Sequence, residues 1–184
     1  MLKERKPNRM AGFDYGRDAL YFVTSCVQDR VCCFGAVSAG KMMRNRYGDI
    51  AHEQWEWLQT QYPYIVSHEF IVMPNHIHGV LEINRDHVGT GRDLSVPEIN
   101  RDHVGTGRDL SVPEIKIKSL SELMGAYKTT TSKKIHLSGY PEFQWQRSFH
   151  DHIIRDEKSY HNIVHYIREN ASKWKGDKFY SIVL

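Results

Sequence analysis

Hydrophobic and polar residues follow two different periods along this chain, and each period predicts its own kind of element. Strands are expected where β-branched and aromatic residues cluster or where apolar and polar residues alternate. The four segments of this kind are residues 20–27, 64–73, 76–83 and 145–154. The turn signal Pro74-Asn75 separates the second segment from the third, so these two strands are expected to be antiparallel neighbours.

Three further segments carry apolar residues at the spacing of a helix. They are residues 39–60, the stretch that begins near Ser119, and residues 156–170. In the first segment the apolar pattern runs from Met43 to Leu58. The second segment opens with a capping box of Ser119 and Glu122, and Tyr127 continues its apolar stripe as an expected core aromatic.

The predicted order of elements is β, α, β, β, α, β, α. This is the order of the split βαβ, ferredoxin-like fold, an α+β architecture with one antiparallel sheet, followed here by an extra C-terminal helix. Helices are expected to cover one face of the sheet and to leave the other face open for a ligand. A length of 184 residues predicts a single domain over residues 1–184.

An exact duplication interrupts this order. Residues 82–97 read EINRDHVGTGRDLSVP, and residues 98–113 repeat the same letters. Glycine, asparagine, aspartate, serine and proline are typical of loops. A surface loop tolerates a long insertion because the entropy of closing it rises only slowly with length. We therefore expect residues 82–113 to form a duplicated loop insertion within the domain.

The composition excludes two classes of protein. No run approaches the roughly 18 apolar residues of a membrane-spanning helix, and the charged first residues are not followed by the apolar stretch of a signal peptide. Cys26, Cys32 and Cys33 lack the spacing of a metal or redox site. They predict three packed thiols in a reducing compartment, and hence a cytoplasmic protein with no membrane partner.

The net charge of +3 is unevenly distributed along the chain. It is +4 over residues 1–50, −5 over residues 51–113 and +4 over residues 114–184. Basic flanks are compatible with a nucleic-acid partner, although a solvated surface is the plainer interpretation. The basic residues that we expect to follow a nucleic-acid backbone are Lys3, Arg5, Lys6, Arg9, Lys128, Lys133, Lys134, Arg147 and Arg155.

Two histidines on one strand give the strongest chemical signal. Because strand side chains alternate, Ile77 and Leu81 are expected to face the core, while His76 and His78 point together to the other face. Imidazoles at positions i and i+2 are close enough to share one divalent metal ion. Gly79 is expected to leave room beside them. The alternative is a pair of half-exposed strand histidines without a ligand.

A second pair with the same spacing, His150 and His152, flanks Asp151. Its apolar support is weaker, because Ile153 and Ile154 are expected on opposite faces of the strand. We therefore expect these two histidines to have a structural role or to support the metal ligands from behind.

The last predicted helix carries a tyrosine at the edge of its apolar stripe. Tyr166 lies about a quarter-turn from Ile167, where the stripe is centred, and Asn170 lies one turn further along the helix. The Tyr166 hydroxyl is then expected to face the sheet, and the Asn170 amide oxygen is a possible metal ligand. The plainer alternative is a boundary tyrosine beside a solvated asparagine.

Three segments together resemble a known family. They are residues 70–79 (FIVMPNHIHG), 145–156 (WQRSFHDHIIRD) and 166–170 (YIREN). In this combination the chain is similar to the single-tyrosine HUH transposases, and specifically to their REP-associated tyrosine transposase branch. The resemblance covers most of the chain outside the duplicated segment.

The resemblance implies a DNA transposase or nuclease that binds single-stranded DNA, often folded as a hairpin, and that cleaves and rejoins it. It implies that His76 and His78 are metal ligands, that Asn170 is the third ligand, and that Tyr166 on the C-terminal helix is the catalytic nucleophile. The expected cofactor is Mg²⁺ or Mn²⁺, and the expected intermediate is a 5′-phosphotyrosine. A phenol is only about 0.1% ionised at pH 7, so the metal ion is expected to neutralise the developing charge.

Two other functions stay open from the sequence. One is a non-catalytic module, derived from a transposase, that binds DNA or RNA hairpins. The other is a metallohydrolase that uses His76 and His78 with a carboxylate and water, although no acidic ligand of convincing spacing stands out. The sequence also does not decide between a monomer and a homodimer.

Overall fold

The computed structural model describes residues 12–86 and 116–181. Within them the chain forms six strands and three α-helices. The strands are β1 (Ala19–Cys26), β2 (Gly35–Ser38), β3 (Lys41–Arg44), β4 (Ile65–Met73), β5 (His76–Ile83) and β6 (His150–Ile154). The helices are α1 (Arg46–Gln61), α2 (Leu120–Leu137) and α3 (Glu157–Glu169). None of these helices is both long and apolar enough to cross a membrane.

The main sheet has four antiparallel strands in the order β4-β5-β1-β6. With α1 between β1 and β4, and α2 between β5 and β6, this order is that of the ferredoxin-like fold and confirms the predicted α+β class. Thr24 of β1 pairs with His78 of β5 on one side and with His150 of β6 on the other. These three side chains therefore lie on the same face of the sheet.

The first face of the sheet packs against α1 and α2 and holds the larger apolar core. Its buried side chains include Tyr21, Val23, Ile77 and Leu81 of the sheet, Trp55 and Leu58 of α1, and Leu123 and Tyr127 of α2. The core role expected for Tyr127 is confirmed, and its hydroxyl donates to the carbonyl oxygen of Ala51 at 3.1 Å. The capping box of Ser119 and Glu122 is also present at the start of α2.

Gly79 faces this same core rather than the histidines. A Cβ on Gly79 would lie 2.5 Å from Cζ2 of Trp55. The indole of Trp55 stacks on the Phe70 ring with 4.4 Å between centroids. The expectation that Gly79 leaves room beside the histidines is therefore wrong, because the missing side chain makes room for Trp55 on the opposite face.

The predicted helix over residues 39–60 is wrong at its beginning. The chain instead forms a hairpin of β2 and β3, whose turn residues Ala39 and Gly40 have φ angles of 49° and 73°. Helix α1 begins only after Asn45, whose side chain caps two backbone N–H groups. Met43 is 61% exposed on the hairpin, so its helical spacing to the later apolar residues does not reflect a shared helix.

Two other boundaries differ from the prediction. The strand expected over residues 145–154 is limited to β6, and Trp145 makes only an isolated bridge to Val27. The duplicated segment does not begin as a loop, because Glu82 and Ile83 belong to β5. Most of that segment falls within residues 87–115, which lie outside the described residues.

The second face of the sheet is not open, contrary to the expectation. Helix α3 lies against it and buries Ile167 with Val80 and Ile154 of the sheet. The segment that follows α3 covers a further part, where Trp174 and Phe179 pack in a separate apolar cluster. The predicted metal ligands therefore lie beneath protein rather than on a bare surface.

Candidate active site

The two histidines of β5 are buried on the second face of the sheet. His76 is 0% exposed and His78 is 1% exposed. Phe179 lies against the ring of His76, and Tyr166 lies against the ring of His78. The two Nε2 atoms are 3.0 Å apart, so both rings point toward one place as the strand alternation predicts. The alternative of two half-exposed histidines is wrong.

Asn75 determines which nitrogen of His76 carries the proton. The Nδ2 group of Asn75 donates to the carbonyl oxygens of Arg30 at 3.1 Å and Phe179 at 2.9 Å. Carbonyl oxygens only accept, so the amide orientation is fixed and Asn75 Oδ1 faces Nδ1 of His76 at 2.8 Å. His76 therefore carries its proton on Nδ1 and presents a lone pair at Nε2, as a metal ligand must.

His78 has a similar partner at its other nitrogen. Its Nδ1 lies 2.7 Å from Oγ1 of Thr24, and a hydroxyl can donate or accept. When the Thr24 hydroxyl accepts, His78 also presents a lone pair at Nε2. The supporting hydrogen bonds thus come from Asn75 and Thr24, while His150 and His152 are exposed on β6.

Tyr166 and Asn170 of α3 reach this histidine pair. The hydroxyl oxygen of Tyr166 lies 3.1 Å from Nε2 of His78. The same hydroxyl donates to Oδ2 of Asp177 at 3.2 Å, and Nδ2 of Asn170 donates to that oxygen at 3.1 Å. Tyr166 is 37% exposed. The cluster is therefore reachable through the tyrosine, while its histidines stay buried.

The donor atoms of this cluster fit a divalent metal ion. Oδ1 of Asn170 is buried and has no hydrogen-bond partner among the described residues, which is costly unless a ligand meets it. Two imidazole nitrogens and one amide oxygen form a ligand set open to Mn²⁺ or Mg²⁺. No group of three His, Cys, Asp or Glu side chains within residues 12–86 and 116–181 is placed to hold a metal. The Asn170 amide oxygen is the unpartnered donor that the cluster itself offers beside the two imidazoles.

Burial decides the protonation states in the cluster. It lowers the pKa of His76 to about 4, although Asp177 opposes the shift, and it lowers the pKa of His78 well below its usual value. Both rings are therefore neutral at pH 7 and able to bind a metal. Burial, together with the carboxylate of Asp177, raises the pKa of Tyr166 to about 12. The phenol is thus protonated and needs help to act as a nucleophile.

The structure describes only five of the nine basic residues predicted to bind a nucleic-acid backbone. Lys3, Arg5, Lys6 and Arg9 lie outside the described residues, while Lys133, Lys134, Arg147 and Arg155 are exposed. Lys128 is half-buried, and its Nζ donates to the carbonyl oxygens of Gln146 and Arg147. Its ammonium group therefore already binds the segment before β6.

Sequence reasoning missed several residues of the site. Asn75 lies in a turn signal and Thr24 in a predicted strand, and neither pattern points to a role in the site. Asp177 follows Tyr166 by eleven positions, beyond the end of α3, and no periodicity points to it. Arg30 and Lys178 were also missed, although both lie against the Phe179 ring that packs on His76.

Comparison with known proteins agrees with this architecture. The structure of a REP-associated tyrosine transposase bound to a REP hairpin matches this chain with a TM-score of 0.56 at 16% identity. The match covers 92% of this chain and 74% of that transposase. This chain shares its fold.

At the level of sequence, a Haemophilus influenzae protein described as uncharacterized is 28% identical over 179 residues. The alignment spans 97% of this chain and 94% of that protein. No family model matches the chain. The comparisons therefore establish the fold.

Proposed function

We propose that this protein is a transposase-type nuclease that cleaves and rejoins single-stranded DNA, with Tyr166 as the nucleophile. The observation that carries the proposal is the approach of the Tyr166 hydroxyl to 3.1 Å from Nε2 of His78. Burying polar groups costs folding free energy. The requirements of folding therefore do not explain a buried histidine pair beside a half-exposed phenol. The fold shared with a transposase, and the three segments that resemble the REP-associated branch, support the same assignment.

The reaction we propose is a transesterification at phosphorus. The Tyr166 oxygen attacks a backbone phosphodiester, the bond from phosphorus to the 3′ oxygen breaks, and a 5′-phosphotyrosine and a free 3′-OH are formed. The phenol gives up its proton and the leaving 3′ oxygen takes one, so the charge balances. Asp177 already accepts the phenol hydrogen bond and is a local acceptor for that proton. Attack by another 3′-OH reverses the step and rejoins the strands.

The proposal includes a divalent metal ion, because the chain offers three ligands for one. His76, His78 and Asn170 would hold it, and it would supply charge neutralisation at the phosphate oxygens, worth several kcal/mol. Asn75 fixes the His76 tautomer for this task, and Thr24 orients His78. Mn²⁺ and Mg²⁺ are the ions we propose.

The proposal is tested by trapping the covalent intermediate. Hairpin oligonucleotides with single-stranded flanks, taken from the DNA around the gene, are incubated with the full chain and Mn²⁺ or Mg²⁺, or with EDTA. We expect a protein–DNA adduct on a denaturing gel that depends on the metal and maps to Tyr166 by mass spectrometry. Tyr166→Phe is expected to abolish the adduct, and Tyr160→Phe on the same helix is the matched control that should retain it.

Three outcomes contradict the proposal in different ways. An adduct that survives in Tyr166→Phe assigns the nucleophile to another residue. Binding of the hairpin that is equal with and without metal, and never followed by cleavage, indicates a hairpin-binding module. Cleavage without an adduct indicates that water is the nucleophile, as in a metallohydrolase.

A further inference from the structure

The segment after β1 makes a tight turn with unusual backbone geometry. Asp29 and Arg30, two consecutive residues with side chains, have φ angles of 53° and 56°. The N–H of Val31 donates to the carbonyl oxygen of Gln28 at 3.3 Å and closes the turn. Such turns favour glycine or asparagine at both central positions. A non-glycine residue in this conformation costs folding free energy, and such strain is concentrated at functional sites.

The backbone of Arg30 has a structural task that does not require an arginine. Its carbonyl oxygen accepts hydrogen bonds from Nδ2 of Asn75 at 3.1 Å and from Oγ of Ser181 at 3.0 Å. Glycine would present the same carbonyl oxygen with less strain. The choice of arginine therefore needs an explanation in its side chain.

The guanidinium of Arg30 lies over the aromatic ring that covers the histidine pair. It is 5.3 Å from the Phe179 ring centroid, and the ammonium of Lys178 is 4.7 Å from the same centroid. The Phe179 ring is in turn 4.7 Å from the His76 ring. Nη1 of Arg30 donates to the carbonyl oxygen of Lys178 at 3.1 Å, which joins the two cationic residues.

Neither cation is neutralised by a carboxylate within residues 12–86 and 116–181. The ion pairs of that part of the chain involve other residues. The nearby Asp177 carboxylate is already engaged by Tyr166 and Asn170 through its Oδ2 and by the backbone N–H of Phe179 through its Oδ1. Arg30 and Lys178 are both exposed. Two unpaired positive charges therefore lie at the edge of the candidate active site, free to meet an anion from solution.

We propose that Arg30 and Lys178 form a second phosphate-binding site that holds a phosphodiester of single-stranded nucleic acid next to the one that Tyr166 attacks. This inference rests on the proposed function, since it assigns a place for the substrate backbone. A guanidinium suits the task because it remains charged and offers several N–H donors in a planar fork. The strained turn keeps this group over Phe179, so the strand is held in register with the histidine pair.

The test compares Arg30→Gly with Asp29→Gly. Both substitutions relieve strain at a residue with positive φ. The first removes a positive charge, and the second removes a negative charge. Arg30→Gly, Asp29→Gly, Arg30→Lys and wild-type full-length chains are titrated with a labelled hairpin oligonucleotide that carries single-stranded flanks. The titrations are done in EDTA, which prevents cleavage, at several salt concentrations. Thermal unfolding of each variant is measured in parallel.

We expect Arg30→Gly to bind several-fold more weakly than wild type at low salt, with a melting temperature no lower than that of wild type. Loss of one phosphate contact should reduce the slope of log K against log salt by about 0.7. Asp29→Gly should bind at least as tightly as wild type with an unchanged slope. Arg30→Lys should retain most of the affinity, because a point charge still meets the phosphate.

Equal affinity and equal slope for Arg30→Gly and wild type would overturn the inference. Weaker binding with an unchanged slope and a lower melting temperature would also overturn it, because the arginine would then act only on the fold. If wild type binds the oligonucleotide and Arg30→Gly binds it equally well, only this inference fails. The proposed nuclease function is then unaffected. If wild type does not bind at all, the proposed function fails and the inference fails with it.

Discussion

The two faces of the central sheet differ in what their buried side chains contribute. The face against α1 and α2 is filled by apolar and aromatic side chains that pack closely, such as Trp55 stacked on Phe70. The face against α3 buries His76, His78 and Asn170 in a polar cluster, with an amide oxygen that has no partner among the described residues. The first face stabilises the fold, and the second uses part of that stability to hold buried polar groups in place.

Strand β5 contributes side chains both to the apolar core and to the polar cluster. Residues of β5 alternate between Ile77, which faces the apolar core, and the two histidines, which face α3. Since the register of β5 is fixed by its apolar residues, the histidines are positioned without depending on their own interactions. Substitutions on the first face should therefore change stability, and substitutions on the second face should change ligand binding.

The largest effect on stability is expected at Trp55. Replacement by alanine removes a fully packed indole and leaves a cavity, so Trp55→Ala should lower the free energy of unfolding by about 3–5 kcal/mol. Tyr166→Ala on the second face should lower it by less than about 1 kcal/mol, since that side chain is 37% exposed. Urea unfolding of both variants measures the two decreases in the free energy of unfolding. Equal decreases would contradict the prediction.

Metal binding should stabilise the second face. A ligand that binds only the folded state at one hundred times its dissociation constant adds about 2.7 kcal/mol, so Mn²⁺ or Mg²⁺ should raise the melting temperature of wild type. His76→Ala should lose this shift, and His152→Ala should retain it because that side chain is exposed on β6. A metal-induced shift that persists in His76→Ala would place the ion elsewhere.

The buried histidines should make the protein sensitive to mild acid. Because burial lowers the pKa of His76 to about 4, the unfolded chain takes up a proton near pH 6.5 that the folded state does not. Stability is therefore fully present above about pH 6.5 and falls as the pH drops toward 4, by on the order of 2 kcal/mol at pH 5. Denaturant unfolding at pH 7.5 and pH 5 measures the loss.

His76→Gln, which cannot titrate, is the control for that pH dependence. It should show a smaller loss between the two pH values, although His52 and His78 also have lowered pKa values and contribute in the same direction. An unchanged loss in His76→Gln would mean that the acid sensitivity arises at other groups.

Two glycines are expected to respond to substitution in opposite directions, and Gly125→Ala should give the smallest change of stability. A Cβ at Gly79 would lie 2.5 Å from the Trp55 ring, so Gly79→Ala should cost about 1–3 kcal/mol through overpacking. A Cβ at Gly125 in α2 would meet nothing within 4 Å. Gly125→Ala should therefore stabilise the protein by about 0.5–1 kcal/mol. The prediction fails if both substitutions change stability in the same direction.

Local patterns predicted much of the fold and the central part of the candidate site. His76 and His78 lie two positions apart on a strand, and Tyr166 and Asn170 lie four positions apart on a helix. Over such short spacings the geometry of the element alone determines that the two side chains point to the same side. The β2–β3 hairpin was missed because Met43 falls at a helical interval from Tyr47 by chance. The turn at Ala39-Gly40, which decides the matter, is only two residues long.

The partners that orient the site could not be predicted from such patterns. Asp177 reaches Tyr166 only because the chain turns back after α3, and Arg30 reaches Phe179 across 149 positions. Contacts of this kind depend on the whole tertiary arrangement rather than on the period of one element. The assignment of catalytic and metal-binding roles to the four predicted residues stays a prediction until the adduct is tested.

The hydrogen bonds of Asn75 have a consequence for the order of events during folding. Its amide joins the turn after β1 to the backbone of Phe179, 104 positions later in the sequence. Contacts over such a separation form late, because the loop between them must close first. The apolar core against α1 and α2 contains neither Asn75 nor Phe179, so it can pack without these contacts, and His76 acquires its fixed tautomer only when they form. The polar cluster would then be complete only after the segment around Phe179 has docked on the sheet.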